Sequence, residues 1–234
     1  MLTKNDASPA QRSDTGLSVM LALVAGYVDV CTFLAFAGFF VAQVTGSYVV
    51  AGSGLFGDGD GLGVKVLAIP VFLLAGMVTT AIVRLSGPRQ HLAMVGSLGL
   101  EAALLCGLTI ASLHDGADPI TAGPALFGLA AMGIQSATVR LLLPSSASTN
   151  VMTSNTTQMA IELVDSCRSR RPTVRLLQTG SVMLGFLAGI IAGALANRVA
   201  GLACLGLAAL ALCALVAREI LVVTAKTRPH AGSL

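Results

Sequence analysis

Apolar residues in this chain do not recur at one helical face; they run on through six stretches, Leu17–Ala42, Val64–Leu85, Leu92–Leu113, Thr121–Leu143, Leu177–Ala196 and Ala200–Ala225. A helix crosses about 30 Å of hydrocarbon in roughly 20 residues at about 1.5 Å each, and a helix that is apolar all round suits lipid. The pattern predicts an all-α integral membrane protein with six transmembrane helices in residues 17–225, between cytoplasmic tails at 1–16 and 226–234. Pro70 interrupts the second stretch and Pro124 opens the fourth. Both suit membrane helices, where neighbouring groups satisfy a freed carbonyl.

Composition strengthens this reading. Of 234 residues 55% are hydrophobic and 11% charged, with a mean hydropathy of +0.84, whereas about a quarter of a soluble domain is charged. The first apolar run is too long for the core of a signal peptide and lacks a clear small-residue cleavage site, so it is expected to remain as a span. The net charge of +3 is spread over loops, which argues against nucleic-acid binding. Twelve of the 14 basic residues fall on alternate connections: Lys4 and Arg12; Arg84 and Arg89; Arg140, Arg168, Arg170, Arg171 and Arg175; Arg218, Lys226 and Arg228. The opposite connections hold Lys65 and Arg198, with Asp58, Asp60, Asp115 and Asp118. Because basic short loops stay in the cytoplasm, both termini are expected there.

Two polar segments resemble each other. Val44-Thr45-Gly46-Ser47 and Met152-Thr153-Ser154-Asn155 each follow an apolar span, and Gly26-Tyr27-Val28-Asp29 and Gly133-Ile134-Gln135-Ser136 precede them at matching distances. The offset of 107 or 108 residues is nearly half the chain. Three spans per half would invert the second copy relative to the first, so the expectation is two inverted three-helix repeats, about 17–113 and 121–225. Chance similarity between two polar loops is the alternative. The stretch from Gly38 to Gly63 is too apolar for a plain loop yet holds Gln43, Thr45, Ser47 and six glycines between its ends, which leaves 43–56 as a re-entrant or broken helix, or as an amphipathic helix at the interface.

Polar residues within the apolar stretches are the candidate chemistry. Asp29 in the first span costs about 3 kcal/mol to insert and so is expected to face the bundle interior or water, where it can take up a proton, hold a cation or amine, or simply bond a neighbouring helix. Glu101 in the third span invites the same reading, and the two carboxyls either share one cavity or serve separate structural roles. Gln135 and Ser136 stand at the repeat counterparts of Val28 and Asp29. Thr45, Gly46, Ser47, Thr153, Ser154 and Asn155 complete the candidate substrate or proton site. Gly185, Gly189 and Gly193 form a packing face, within the protomer or across a homodimer. Arg140 reads first as an interfacial anchor.

No catalytic residues, metal site or cofactor are expected. His91, His114 and His230 lie in loops or the tail, no HExxH, GxSxG or nucleotide loop occurs, and the five cysteines form no CxxC pair. Having no Trp and two Tyr argues against a stacked sugar or a quaternary-amine cage.

The combination of Gly26-Tyr27-Val28-Asp29, Phe40-Val41-Ala42-Gln43-Val44-Thr45-Gly46-Ser47, Gly133-Ile134-Gln135-Ser136-Ala137 and Val151-Met152-Thr153-Ser154-Asn155-Thr156-Thr157 resembles the YoaK family of bacterial membrane proteins, also called the domain of unknown function 1275 (DUF1275) family. The resemblance covers about residues 17–225 and implies roughly six spans in a bacterial cytoplasmic (inner) membrane, without assigning an activity. Ser47 and Ser154 depart from the family's more usual Asn and Gly. A small-solute transporter or permease with a midplane site is the function expected; the alternative is a non-transporting assembly or stress-response module that binds another membrane protein.

Overall fold

The structure, a computed structural model, describes residues 9–36, 38–54, 62–115 and 123–227. Asp58, Asp60, Asp118, Lys4, Arg228 and His230 lie outside the described residues, as does the side chain of Ser47. The elements are α1 (Pro9–Ala35), α2 (Val44–Gly54), α3 (Leu62–Ser86), α4 (Gln90–Asp115), α5 (Gly123–Leu142), α6 (Met152–Ser169), α7 (Val174–Ala200), a 3-10 turn (Gly201–Cys204) and α8 (Leu205–Thr227). Among the described residues there is no strand. Five helical stretches are long and apolar enough to cross a membrane: Asp14–Ala35, Val66–Ser86, Gln90–His114, Gly123–Leu142 and Val174–Val222.

The fifth stretch, 49 residues, contains both α7 and α8. Cys31 Sγ lies 3.5 Å from the carbonyl oxygen of Gly193 and 3.4 Å from Cys204 Sγ. In a continuous helix residues 193 and 204 would stand about 16 Å apart at about 1.5 Å per residue, so the chain folds back between them. Gly201, at a φ of 54°, makes the turn; its N–H bonds to the Asn197 carbonyl, and the Tyr27 hydroxyl donates to the Cys204 carbonyl at 2.9 Å.

The first apolar run is not one helix to Ala42. It stops at Ala35, where Gly38, at a φ of 83°, returns its N–H to the Phe33 carbonyl at 2.9 Å. Phe36, Phe39, Val41 and Ala42 are buried although their backbone is not helical. Irregular backbone at membrane depth has to be covered by protein, and this segment is covered. α2 follows and packs on α3, with Tyr48 and Val49 exposed. A polar stretch of the sequence, Met152–Ser169, forms α6, which packs on α7; Thr173 caps α7 by accepting from the Leu176 N–H at 3.0 Å.

Glycines set the closest helix contacts. Val19 lies against Gly185, Leu23 against Gly189 and Tyr27 against Gly193, so α1 and α7 run parallel, and Gly26 meets the Phe186 carbonyl from the other side. The same arrangement joins α5 to α3, where a Cβ at Gly133 would stand 2.9 Å from Ala75 Cβ and 3.0 Å from the Phe72 carbonyl oxygen. Close backbone approach of this kind is how membrane helices gain packing energy without a hydrophobic driving force. α4 packs on α5 and α8.

Candidate functional site

Three polar constellations are buried in this apolar core. The first holds the break after α1. Asp29, on the inner face of α1, accepts hydrogen bonds at Oδ1 from the Val41 and Ala42 N–H groups, both at 2.8 Å. Those N–H groups have no helical partner because the chain has left α1 and not yet entered α2. A short acidic side chain on the neighbouring turn supplies the missing acceptor. Thr32 turns its hydroxyl back onto the Val28 and Asp29 carbonyls.

The second holds the break after α5. Gln135 Nε2 donates to the Leu21 carbonyl at 3.0 Å, to Thr149 Oγ1 at 3.0 Å and to Asn150 Oδ1 at 3.2 Å. Asn150 Nδ2 donates to the Met132 carbonyl at 3.2 Å and to Ser136 Oγ at 2.9 Å. Asn155, in the first turn of α6, donates to the Ser148 carbonyl at 2.6 Å. Residues 148–150 are thereby folded back onto α5 and α1. Gln135→Leu is expected to lower stability by about 1–2 kcal/mol, since membrane side-chain bonds average about 0.6 kcal/mol and several are lost. Protease cleavage within residues 144–150, measured beside the melting temperature, should increase; unchanged cleavage would show that Gln135 does not hold the segment.

The third has no internal partners. Glu101 on α4 is completely buried, and neither carboxyl oxygen has a hydrogen-bond partner among the described residues. The same holds for Gln135 Oε1 and the hydroxyls of Ser18, Ser97 and Thr138. Helix register relates those on α4 to those on α5. A Cβ at Gly128 would stand 3.1 Å from Leu108 Cδ2, and one at Gly107 would stand 3.1 Å from Phe127 Cδ1, which pairs the end of α4 with the start of α5. Seven residues back from Leu108 is Glu101, and seven on from Gly128 is Gln135; seven residues are close to two turns, so both keep the same face and meet at one level. Ser97 and Thr138 lie one turn further along, and Ser18 is one turn before Leu21, whose carbonyl Gln135 bonds. Buried polar groups ordinarily have partners, so these atoms are the candidate site of the molecule.

A family model described as a protein of unknown function (DUF1275) matches residues 17–218. The chain belongs to the DUF1275 family. Comparison with curated proteins and with solved structures finds no match.

In this DUF1275 member the candidates separate into groups. Glu101 and Gln135 stand at one level of the α4–α5 pair by helix register, and Ser136 joins the Gln135 network through Asn150. Asp29 does not meet Glu101: its partner Val41 sits by Gly128, where a Cβ would be 3.4 Å from Val41 Cγ1. That is two turns, or about 10 Å, from the level of Glu101. Asn155 is buried, while Thr45, Thr153 and Ser154 are exposed and Gly46 abuts Phe40. Gly185, Gly189 and Gly193 lie against α1 of the same chain. Among the described residues no group of three or more His, Cys, Asp or Glu could hold a metal ion. Sequence reasoning passed over Thr149, Asn150, Ser18, Ser97 and Thr138. Thr149 and Asn150 carried a usable signal, since an offset of 108 sets them opposite Val41 and Ala42.

Proposed function

We propose that this protein is a small-solute permease of the bacterial cytoplasmic membrane, with six membrane-crossing helices and a site at the Glu101–Gln135 cluster. The observation that carries this reading is the fully buried Glu101 carboxyl without an internal partner, level with an equally unpartnered Gln135 Oε1. A carboxyl in such a place is expensive to keep and is typical of ion, proton or substrate pathways. The chemistry suits a small polar or cationic solute, or a proton moving with it, and includes no catalytic step.

The fold-back between α7 and α8 supports counting the fifth apolar stretch as two crossings. Paired contacts support an inverted repeat. Gly26 packs on Phe186 and Gly133 on Phe72, positions 107 and 114 residues apart in the two halves. Each of α1 and α5 is followed by a break, held by Asp29 in one half and by Gln135 in the other. α2 packs on α3 as α6 packs on α7. Leu21 meets Gln135 while Val41, held at Asp29, meets Gly128, so α1 and α5 run in opposite directions as inverted copies must. The distribution of twelve of 14 basic residues supports cytoplasmic termini.

Glu101→Gln is nearly isosteric and is expected to reduce solute or proton flux in proteoliposomes at least about tenfold, with the melting temperature held within a few degrees. That is the loss of one charge-assisted contact. Substrate is first sought by thermal shift with pooled metabolites: a ligand at about 100 times its dissociation constant adds roughly 2.7 kcal/mol. Pools that shift neither wild type nor variant, together with unchanged flux, would replace this reading with a module that binds another membrane protein.

A further inference from the structure

A groove of about 700 Å³ runs between α3 and α5, away from the buried cluster. Its length is lined by apolar and small side chains, among them Phe72, Met77, Gly76 and Ala137, and its end by Arg84 and Arg140. Both arginines lie in the last turns of their helices, and the two helices run parallel, so the guanidinium groups are at the same end. Neither has an ion-pair partner among the described residues, and both are exposed. Thr80, the one uncharged polar residue on the lining, donates its hydroxyl to the Gly76 carbonyl at 2.8 Å and leaves the groove apolar.

From Phe72 to Arg84 the groove extends over about 18 Å at about 1.5 Å per residue, a little more than half of a hydrocarbon core about 30 Å thick. Its depth is that of one leaflet. An apolar channel one leaflet deep, closed at the headgroup end by two unpaired guanidinium groups, is complementary to an amphiphile with an anionic head. Arginine forks pair with phosphate in two-bond geometry, and basic pockets between membrane helices bind anionic headgroups.

We propose that the α3–α5 groove is a binding site for an anionic diacyl glycerophospholipid, its acyl chain along Phe72–Thr80 and its phosphate on Arg84 and Arg140. Gly76 makes the test clean. Gly76 lines the groove and a Cβ there meets no atom within 4 Å, so the Gly76→Leu side chain starts in open space and occupies the groove.

The experiment uses the full chain in nanodiscs of phosphatidylglycerol and phosphatidylcholine, released and counted for retained lipid by native mass spectrometry. Wild type is expected to retain phosphatidylglycerol in preference to phosphatidylcholine. The double variant Arg84→Gln/Arg140→Gln should lose about thirtyfold of that preference, two basic residues' worth. Gly76→Leu should retain neither lipid at this site. Melting temperatures in lipid-free detergent check that the variants fold. Equal retention of both lipids by wild type overturns the proposal without recourse to any variant, and so does a preference that survives both substitutions. Stabilisation by sn-glycerol 3-phosphate equal to that by the whole lipid would overturn it in favour of a free anion. A lipid-free dimer that Gly76→Leu converts to monomer would overturn it in favour of a second copy.

Discussion

Gly189→Val is expected to destabilise the protein by about 3 kcal/mol or more, a large part of a total that is typically about 5–15 kcal/mol. Any Cβ at position 189 collides with the Leu23 carbonyl and stands 2.9 Å from both the Leu23 carbonyl carbon and the Tyr27 nitrogen. These are backbone atoms of another helix, which cannot rotate aside as a flexible side chain can. α1 and α7 must therefore separate, and the Val19, Leu23 and Tyr27 contacts with Gly185, Gly189 and Gly193 open together. Gly26→Val attacks the same seam from α1 through the Phe186 carbonyl. The double variant should therefore fall short of the sum of the two single effects. Gly99→Ala is the control: its Cβ meets nothing within 4 Å, and alanine is the better helix former, so it should be neutral or slightly stabilising. Unfolding midpoints in mixed micelles decide the matter. A Gly189→Val protein as stable as Gly99→Ala would mean that α1 and α7 are not packed as described.

The apolar stretches were legible because lipid imposes length and composition on any helix that crosses it. Glu101, Asp29 and Gln135 were legible because polar groups in such stretches are costly and hence conspicuous. The end of α1 was not. Phe36-Ala37-Gly38-Phe39-Phe40-Val41-Ala42 is apolar enough to continue a helix, and what stops it is tertiary: Asp29 accepts the N–H groups that a helix would have used internally. The polar segment at 152–169 is helical and packs on α7, a surface that its composition alone does not report. Periodicity within one element cannot report the surface it will rest on. The same limit hid Ser18, Ser97 and Thr138, which are unremarkable hydroxyls in sequence. They become informative only once the fold shows that they are buried without partners, Ser97 one turn from Glu101 on α4, Thr138 one turn from Gln135 on α5 and Ser18 one turn from Leu21 on α1.

The two breaks suggest a shared device built from different chemistry. In each half a long helix ends, the chain doubles back, and a polar side chain of that helix captures the returning segment. The first capture uses a carboxylate on backbone N–H groups; the second uses an amide on side-chain oxygens and a carbonyl. A carboxylate can only accept, which suits Val41 and Ala42, whereas the Gln135 amide donates through Nε2 and leaves Oε1 without a partner among the described residues. Asp29 thus serves its break alone, whereas Gln135 serves its break and, under the proposed function, the site.

Asp29 therefore separates the two roles. Asp29→Ala leaves the Val41 and Ala42 N–H groups buried without an acceptor, at about 1–3 kcal/mol for each, and is expected to cost about 2–4 kcal/mol in all. Asp29→Asn keeps an oxygen in place of Oδ1 and should cost about 1 kcal/mol, the difference between a charge-assisted and a neutral bond. The melting temperature should thus rank wild type, Asn and Ala in that order. Labelling of a cysteine placed at Ala42 by a water-soluble maleimide should rise in the same order as the segment loosens. If Asp29→Asn is nearly as stable as wild type and retains flux while Glu101→Gln does not, Asp29 is the anchor and Glu101 the working carboxyl. Loss of flux in a stable, unlabelled Asp29→Asn protein would instead give the carboxylate at 29 a part in the transport step. Equal stability of all three proteins would remove Asp29 from both roles.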